Sequence, residues 1–178
     1  MQYCFIRNQI FNFTYVYTIP IFEHSSNRVA KSLLGGWTLS GVTLMQAGNP
    51  MNIGLGVNNL GLGGAGSNRP NQSAAVSYPQ QWAQWFSTSQ FAKPDPLVYG
   101  SARRNSVVGP GRDNWNMDLF KKFQFTERTS FEFRAESFNT WNHTQYTAVN
   151  TTFSQTSFGK VTGVADPRSF QLGAKLQF

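Results

Sequence analysis

The chain carries little that covalent or metal chemistry could use. A single cysteine, Cys4, stands among 178 residues, which excludes an intrachain disulfide and a cysteine-rich zinc centre. The only histidines, His24 and His143, lie in separate connections, and no acidic or cysteine neighbours stand at metal-ligand spacing. No G-x-S-x-G, H-E-x-x-H or Walker pattern occurs, so no catalytic residue, metal or cofactor is expected. Charged residues make up 13% of the chain, about half the usual share. That scarcity argues against a charged disordered tail, and too little Ala, Glu, Lys and Leu is present for a helical bundle. No apolar run reaches about 18 residues, which excludes a membrane-spanning helix. The opening Met1-Gln2-Tyr3-Cys4-Phe5-Ile6-Arg7 lacks a basic n-region followed by an apolar h-region. The chain is therefore expected to be cytosolic or to be a piece of something longer.

Aromatic residues are abundant. They make up 15% of the chain, 16 of them Phe, and they recur at every second position. From Ile10 to Ile19 the odd positions hold Phe11, Phe13, Tyr15 and Tyr17, while Asn12, Thr14 and Thr18 fall between them. Trp37–Gln46 repeats the pattern with a weaker phase. In Asn114–Phe125, Trp115, Met117, Leu119, Phe123 and Phe125 oppose Asn116, Asp118, Lys122 and Gln124. In Ser130–Phe138, Phe131, Phe133 and Ala135 oppose Glu132, Arg134 and Glu136. The last segment is the cleanest: Phe170, Leu172, Ala174, Leu176 and Phe178 alternate with Gln171, Gly173, Lys175 and Gln177. A period of two is the mark of a strand with one apolar face. Runs of about ten residues exceed the usual strand length and match what crosses a bilayer. Two all-β architectures fit: membrane-barrel strands with aromatic, lipid-facing sides, or a soluble sandwich with the same faces turned inward.

The connections separate these two. Thr126-Glu127-Arg128-Thr129 is a tight turn, whereas Ala47–Asp113 and Asn139–Arg168 are long and polar. Loops of that length are uncommon in compact soluble domains, and outer-membrane barrels alternate short turns with long loops. Between Pro20 and Gly36, Ser25–Leu34 predicts a short helix capped by Ser25 or Ser26 and stopped by Gly35. Inside the first long loop, Trp82, Trp85 and Phe86 at i, i+3, i+4 predict a short amphipathic helix within Pro79–Phe91.

Other motifs carry less. Gly61-Leu62-Gly63-Gly64-Ala65-Gly66 matches G-x-G-x-x-G, but no helical pattern follows it, so it reads as loop. Glu132 and Glu136 share a strand face about 13 Å apart, wider than the roughly 5–9.5 Å of glycosidase carboxyl pairs. With Arg134 between them they read as an alternating-charge row facing a wet barrel interior. The Asn-x-Ser/Thr sites at Asn12, Asn71, Asn142 and Asn150 are expected by chance in an Asn- and Thr-rich chain. The net charge is +7, but the basic residues are dispersed, with Arg103-Arg104 and Lys121-Lys122 the adjacent pairs. No nucleic-acid partner is expected.

A set of motifs then stands in one order: Thr14-Tyr15-Val16-Tyr17-Thr18-Ile19-Pro20, Gly35-Gly36-Trp37-Thr38-Leu39-Ser40-Gly41, Gln46-Ala47-Gly48-Asn49-Pro50, Gly109-Pro110-Gly111, Phe131-Glu132-Phe133-Arg134-Ala135-Glu136-Ser137-Phe138-Asn139 with Asn142-His143, and Asp166-Pro167-Arg168. Together they resemble the C-terminal barrel end of Oar-like TonB-dependent outer-membrane receptors, the branch with a carboxypeptidase-regulatory-like domain. The resemblance spans nearly the whole chain. It implies an antiparallel transmembrane β-barrel fold, with about five long strands here out of a barrel of about 22. Residues 1–178 then correspond to the C-terminal part of that barrel, without plug domain, TonB box or signal peptide, as if Met1 were an internal start or the gene were split. It also implies that Phe170, Leu172, Ala174, Leu176 and Phe178 form the C-terminal signal read by the barrel-assembly machinery. Glu132, Arg134, Glu136, Gln171 and Lys175 are expected to face the lumen.

The expected role is to supply pore wall, outer loops and the assembly signal of a receptor for energised substrate uptake, located in the outer membrane. Its partners would be outer-membrane lipid, the assembly machinery and, through the missing N-terminal part, the TonB complex. The substrate is not legible. Counting strands back from a periplasmic C-terminus places Thr126–Thr129 and Pro20–Gly36 in the periplasm, and Ala47–Asp113 and Asn139–Arg168 outside. The alternative is a soluble all-β carbohydrate- or ligand-binding module with Trp82, Trp85 and Trp141 stacking on sugars. Lys121 is out of keeping with its apolar phase, and a β-bulge near Phe120 or snorkelling towards the periplasm would account for it.

Overall fold

A computed structural model describes residues 9–22, 26–61 and 68–178. Cys4, His24, Ser25 and all but Gly61 of the glycine-rich motif lie outside the described residues. In chain order the elements are β1 (Ile10–Thr18), α1 (Arg28–Leu34), β2 (Thr38–Gln46), β3 (Pro50–Met51), β4 (Asn71–Gln72), β5 (Phe91–Ala92), β6 (Val107–Val108), β7 (Arg112–Gln124), β8 (Ser130–Phe138), β9 (Tyr146–Val149), β10 (Val161–Val164) and β11 (Ser169–Gln177). They fall into two compact units. Of the described residues, those within Phe11–Met45, Asp113–His143 and Asp166–Phe178 form a sheet unit, and those within Met1–Ile10, Gln46–Arg112 and Thr144–Ala165 a loop unit.

The sheet unit is built on one five-stranded sheet in the order β1-β2-β7-β8-β11. All five strands stand where the period-two pattern predicts them, because alternation lets each strand bury or expose a whole face at once. Ile19 N donates to the Trp37 carbonyl and Ala47 N to the Gln9 carbonyl, so β2 runs antiparallel to β1. β7 pairs antiparallel with β8, and β8 with β11, without a register shift in either ladder. Thr126 closes the β7–β8 hairpin: its Oγ1 accepts from the Arg128 and Thr129 amides, and Phe125 N and Thr126 N donate to the Thr129 carbonyl. That turn fixes the register. The α1 link and this tight turn leave from one end of the sheet. At the other end Gly111 lies against the Gln46 carbonyl, and both long connections depart there.

α1 starts later than Ser25 or Ser26 would have it. Asn27 is the N-cap, its Oδ1 accepting from Val29 N and Ala30 N, as Asn does well. Gly35 ends the helix as expected.

The loop unit has a core of its own. Ile53, Trp85, Phe86, Phe91, Ala102 and Val107 from the first long connection pack with Val149 from the second, flanked by Tyr146, Phe153, Phe158 and Val161. Phe158 meets Phe86, Phe91 and Phe153 edge-on at 5.4–5.7 Å, a favoured aromatic geometry. Three short antiparallel pairs, β3–β6, β4–β5 and β9–β10, satisfy the backbone around it. The helix expected within Pro79–Phe91 does not form. A turn with reciprocal Gln81–Gln84 backbone bonds stands there instead. It turns Trp85 and Phe86 into the core while Trp82 stays 71% exposed.

Candidate functional site

The register brings the charged residues of three strands onto one face. Across β7, β8 and β11 the rows are Asp118–Glu136–Gln171, Phe120–Arg134–Gly173 and Lys122–Glu132–Lys175. Glu132, Arg134, Glu136, Gln171 and Lys175 thus share one face. Arg134 is its hub, with Glu132 at 3.2 Å, Asp118 at 3.4 Å and Glu136 at 3.6 Å. Its guanidinium also lies over the Phe120 ring at 5.2 Å, a cation–π contact. Ser40 Oγ on β2 donates to Asp118 Oδ2 at 3.3 Å, extending the polar row. Gly173 places no side chain opposite Arg134, and an open groove of about 330 Å³ runs beside Glu132, Arg134, Gly173 and Lys175. Both glutamates are held by the arginine between them, an arrangement for ordered charge rather than paired acid–base work. Asp118 and Phe120 were missed as members of this site. Their signal was the hairpin turn, since closing it at Thr126–Thr129 sets Asp118 opposite Glu136 and Phe120 opposite Arg134.

The opposite face carries Met117, Leu119 and Phe123 on β7, Phe131, Phe133 and Ala135 on β8, and Phe170, Leu172, Ala174 and Leu176 on β11. Phe11, Phe13 and Tyr15 form a stacked aromatic row along β1. On β11 the large side chains are exposed, Leu172 by 72%. Phe178 lies one residue beyond β11 and is exposed. β1 and β11 are the two edges of the sheet.

Lys121 sits on this apolar face without a bulge, its ammonium reaching the Pro20–Gly36 link. Its ladder to Phe133 is regular, and the residue is only 6% exposed. Its Nζ donates to the carbonyls of Ser32 and Gly35 and lies 4.9 Å from the Phe123 ring centroid. The last carbonyls of a helix lack intrahelical partners and carry partial negative charge, so the ammonium finds its counterpart at the end of α1.

Of the aromatic residues in the soluble alternative, Trp85 is not available for stacking on a ligand. Trp85 is 8% exposed, in the loop core, and its Nε1 donates to the Val108 carbonyl at 2.9 Å. In the sheet unit, Trp141 packs edge-on to Trp115 at 6.4 Å.

A long-stranded antiparallel sheet, with one aromatic and exposed face and one ordered charged face, is the wall of a membrane-spanning β-barrel. Residues 2–171 match the family model described as an outer membrane beta barrel domain, and the chain belongs to that family. It is an all-β protein of the outer membrane. No curated protein and no solved structure matches it.

Proposed function

We propose that this chain is the C-terminal portion of the barrel of a TonB-dependent outer-membrane receptor. In this reading the face of Phe11, Phe13, Phe170, Leu172 and Leu176 meets lipid. The face of Glu132, Arg134, Glu136, Gln171 and Lys175 lines the lumen, where water solvates the charges that lipid would exclude. β11 with Phe178 is the strand the barrel-assembly machinery reads. The loop unit lies outside the cell, and TonB engages through a plug carried by the remainder of the receptor. The observation that carries this reading is the ordered set of motifs from Thr14–Pro20 to Asp166–Arg168. The sheet's two edges, β1 and β11, which pair with one strand each among the described residues, support it, because unpaired backbone groups cannot face lipid and call for neighbouring strands.

The test is formaldehyde cross-linking in intact cells that make the protein carrying this chain. A TonB adduct that disappears when TonB is deleted is the expected result. An outer-membrane protein that gives no adduct in energised cells would overturn the receptor reading and leave a barrel of another kind.

A further inference from the structure

The loop unit carries a polar cavity, open to solvent, of about 970 Å³, at the upper end of the usual size for a small-molecule site. Arg69, Arg103 and Arg104 line it, with Gln72, Tyr78 and Asn105, and no Asp or Glu is among its described lining residues. None of the three guanidinium groups pairs with a carboxylate among the described residues, where Arg134 and His143 hold the ion pairs. Charge is also segregated. Among the described residues the loop unit has Arg69, Lys93, Arg103, Arg104, Arg112 and Lys160 against Asp95 alone, whereas the sheet unit is nearly balanced. A concave surface of one sign focuses its field on ligands of the other.

The walls are held in place. Asn68 is buried; its Oδ1 accepts from Arg69 N at 2.8 Å and Gly100 N at 3.0 Å, and its Nδ2 donates to the Val98 carbonyl at 3.1 Å. Gly100 allows the approach, since a Cβ there would come within 1.8 Å of the Arg69 carbonyl oxygen. Asn105, at φ 56°, takes the left-handed conformation that ends the Arg103-Arg104 turn, and its amide donates to Asn52 Oδ1 at 2.8 Å. Tyr78 Oη accepts from Val108 N at 3.0 Å. The arginines therefore project from an ordered frame.

We infer that this cavity is a binding site for a hydroxylated oxyanion, a sugar bearing carboxylate or phosphate. Guanidinium groups bind both anions through paired N–H donors, and the amide and hydroxyl groups around them suit a polyol. The inference names a substrate class for the receptor and rests on the reading that the loop unit faces outward. Equilibrium binding needs no TonB, so its outcome is separate from that of the cross-linking test.

The experiment is calorimetric titration of the full protein, extracted from outer membranes in detergent, with trigalacturonate, glucose 6-phosphate and maltotriose. One or both anions should bind at least tenfold tighter than neutral maltotriose, and which one binds identifies the acidic group. Arg103→Gln with Arg104→Gln should weaken anion binding at least tenfold, whereas Lys160→Gln, in the same unit but away from the cavity, should not. Equal binding of maltotriose, no anion binding, or the same loss in Lys160→Gln would overturn the inference.

Discussion

Gly41 is a residue whose identity is dictated by its neighbours. It lies under Tyr15 of the adjacent strand, and a Cβ there would come within 2.4 Å of Tyr15 Oη and 2.8 Å of the Asn116 carbonyl. An aromatic ring covering a glycine on the next strand restores the packing that the missing side chain gives up. Gly41→Val is expected to force β1 from β2 at a cost of about 1–3 kcal/mol, read as a lower temperature for loss of the folded band on detergent gels. An unchanged temperature would mean that Tyr15 does not pack there. Lys121 is a second such residue. Lys121→Met leaves the Ser32 and Gly35 carbonyls without their donor, worth about 1–3 kcal/mol for a buried group such as the Gly35 carbonyl. The link should then fray, and trypsin should cleave at Arg28 and Lys31 faster than in the parent protein or in Lys121→Arg. Equal cleavage in all three would show that the ammonium does not hold α1.

Among the elements, β11 makes the sharpest prediction because its two faces differ so cleanly. Leu172 and Gln171 are neighbours in sequence but lie on opposite faces, beside Ala135 and Glu136 of β8. Arg in place of Leu172, near the middle of the strand, should cost about 2–4 kcal/mol on a lipid-exposed face and lower the amount of protein recovered in the outer membrane. Gln171→Arg joins a row that already holds Asp118 and Glu136, and recovery should be unchanged. Equal recovery of the two variants would refute the assignment of faces. α1 shows a different logic. Its seven residues are too few for a helix to persist alone, so the Asn27 cap and Lys121 at its end hold it.

At the scale of the molecule, the two long connections leave the same end of the sheet, and their residues build a single core. Phe158 of the second connection packs edge-on to Phe86 of the first, and Val149 joins Ile53 in the same core, so each loop is ordered by the other. Labelling of whole cells tests the orientation. In a Cys4→Ser background, an impermeant thiol reagent should label Gln155→Cys in the loop unit and leave Glu127→Cys in the tight turn unlabelled. The reverse pattern would invert the protein in the membrane.

The residue-by-residue register came with the structure, whereas strand positions, the two faces of the sheet and the tight turn between β7 and β8 were legible in the amino-acid order. They depend on local rules: a period of two in side-chain direction, and a turn whose length sets the pairing. The charged row around Arg134 follows from the same rules once strands are placed side by side. Other features were decided by contacts between distant residues. Trp82, Trp85 and Phe86 have helical spacing, yet the turn at Gln81–Gln84 won, because it delivers Trp85 and Phe86 to a core completed by a separate loop. Lys121 is at odds with its own strand and is explained only by the end of α1 lying over it. The basic cavity of the loop unit joins Arg69 to Arg103 and Arg104 through Asn68 and Gly100. No periodicity announces such a meeting, because hydrogen bonds between irregular segments, unlike those of a ladder, are selected by the folded arrangement itself.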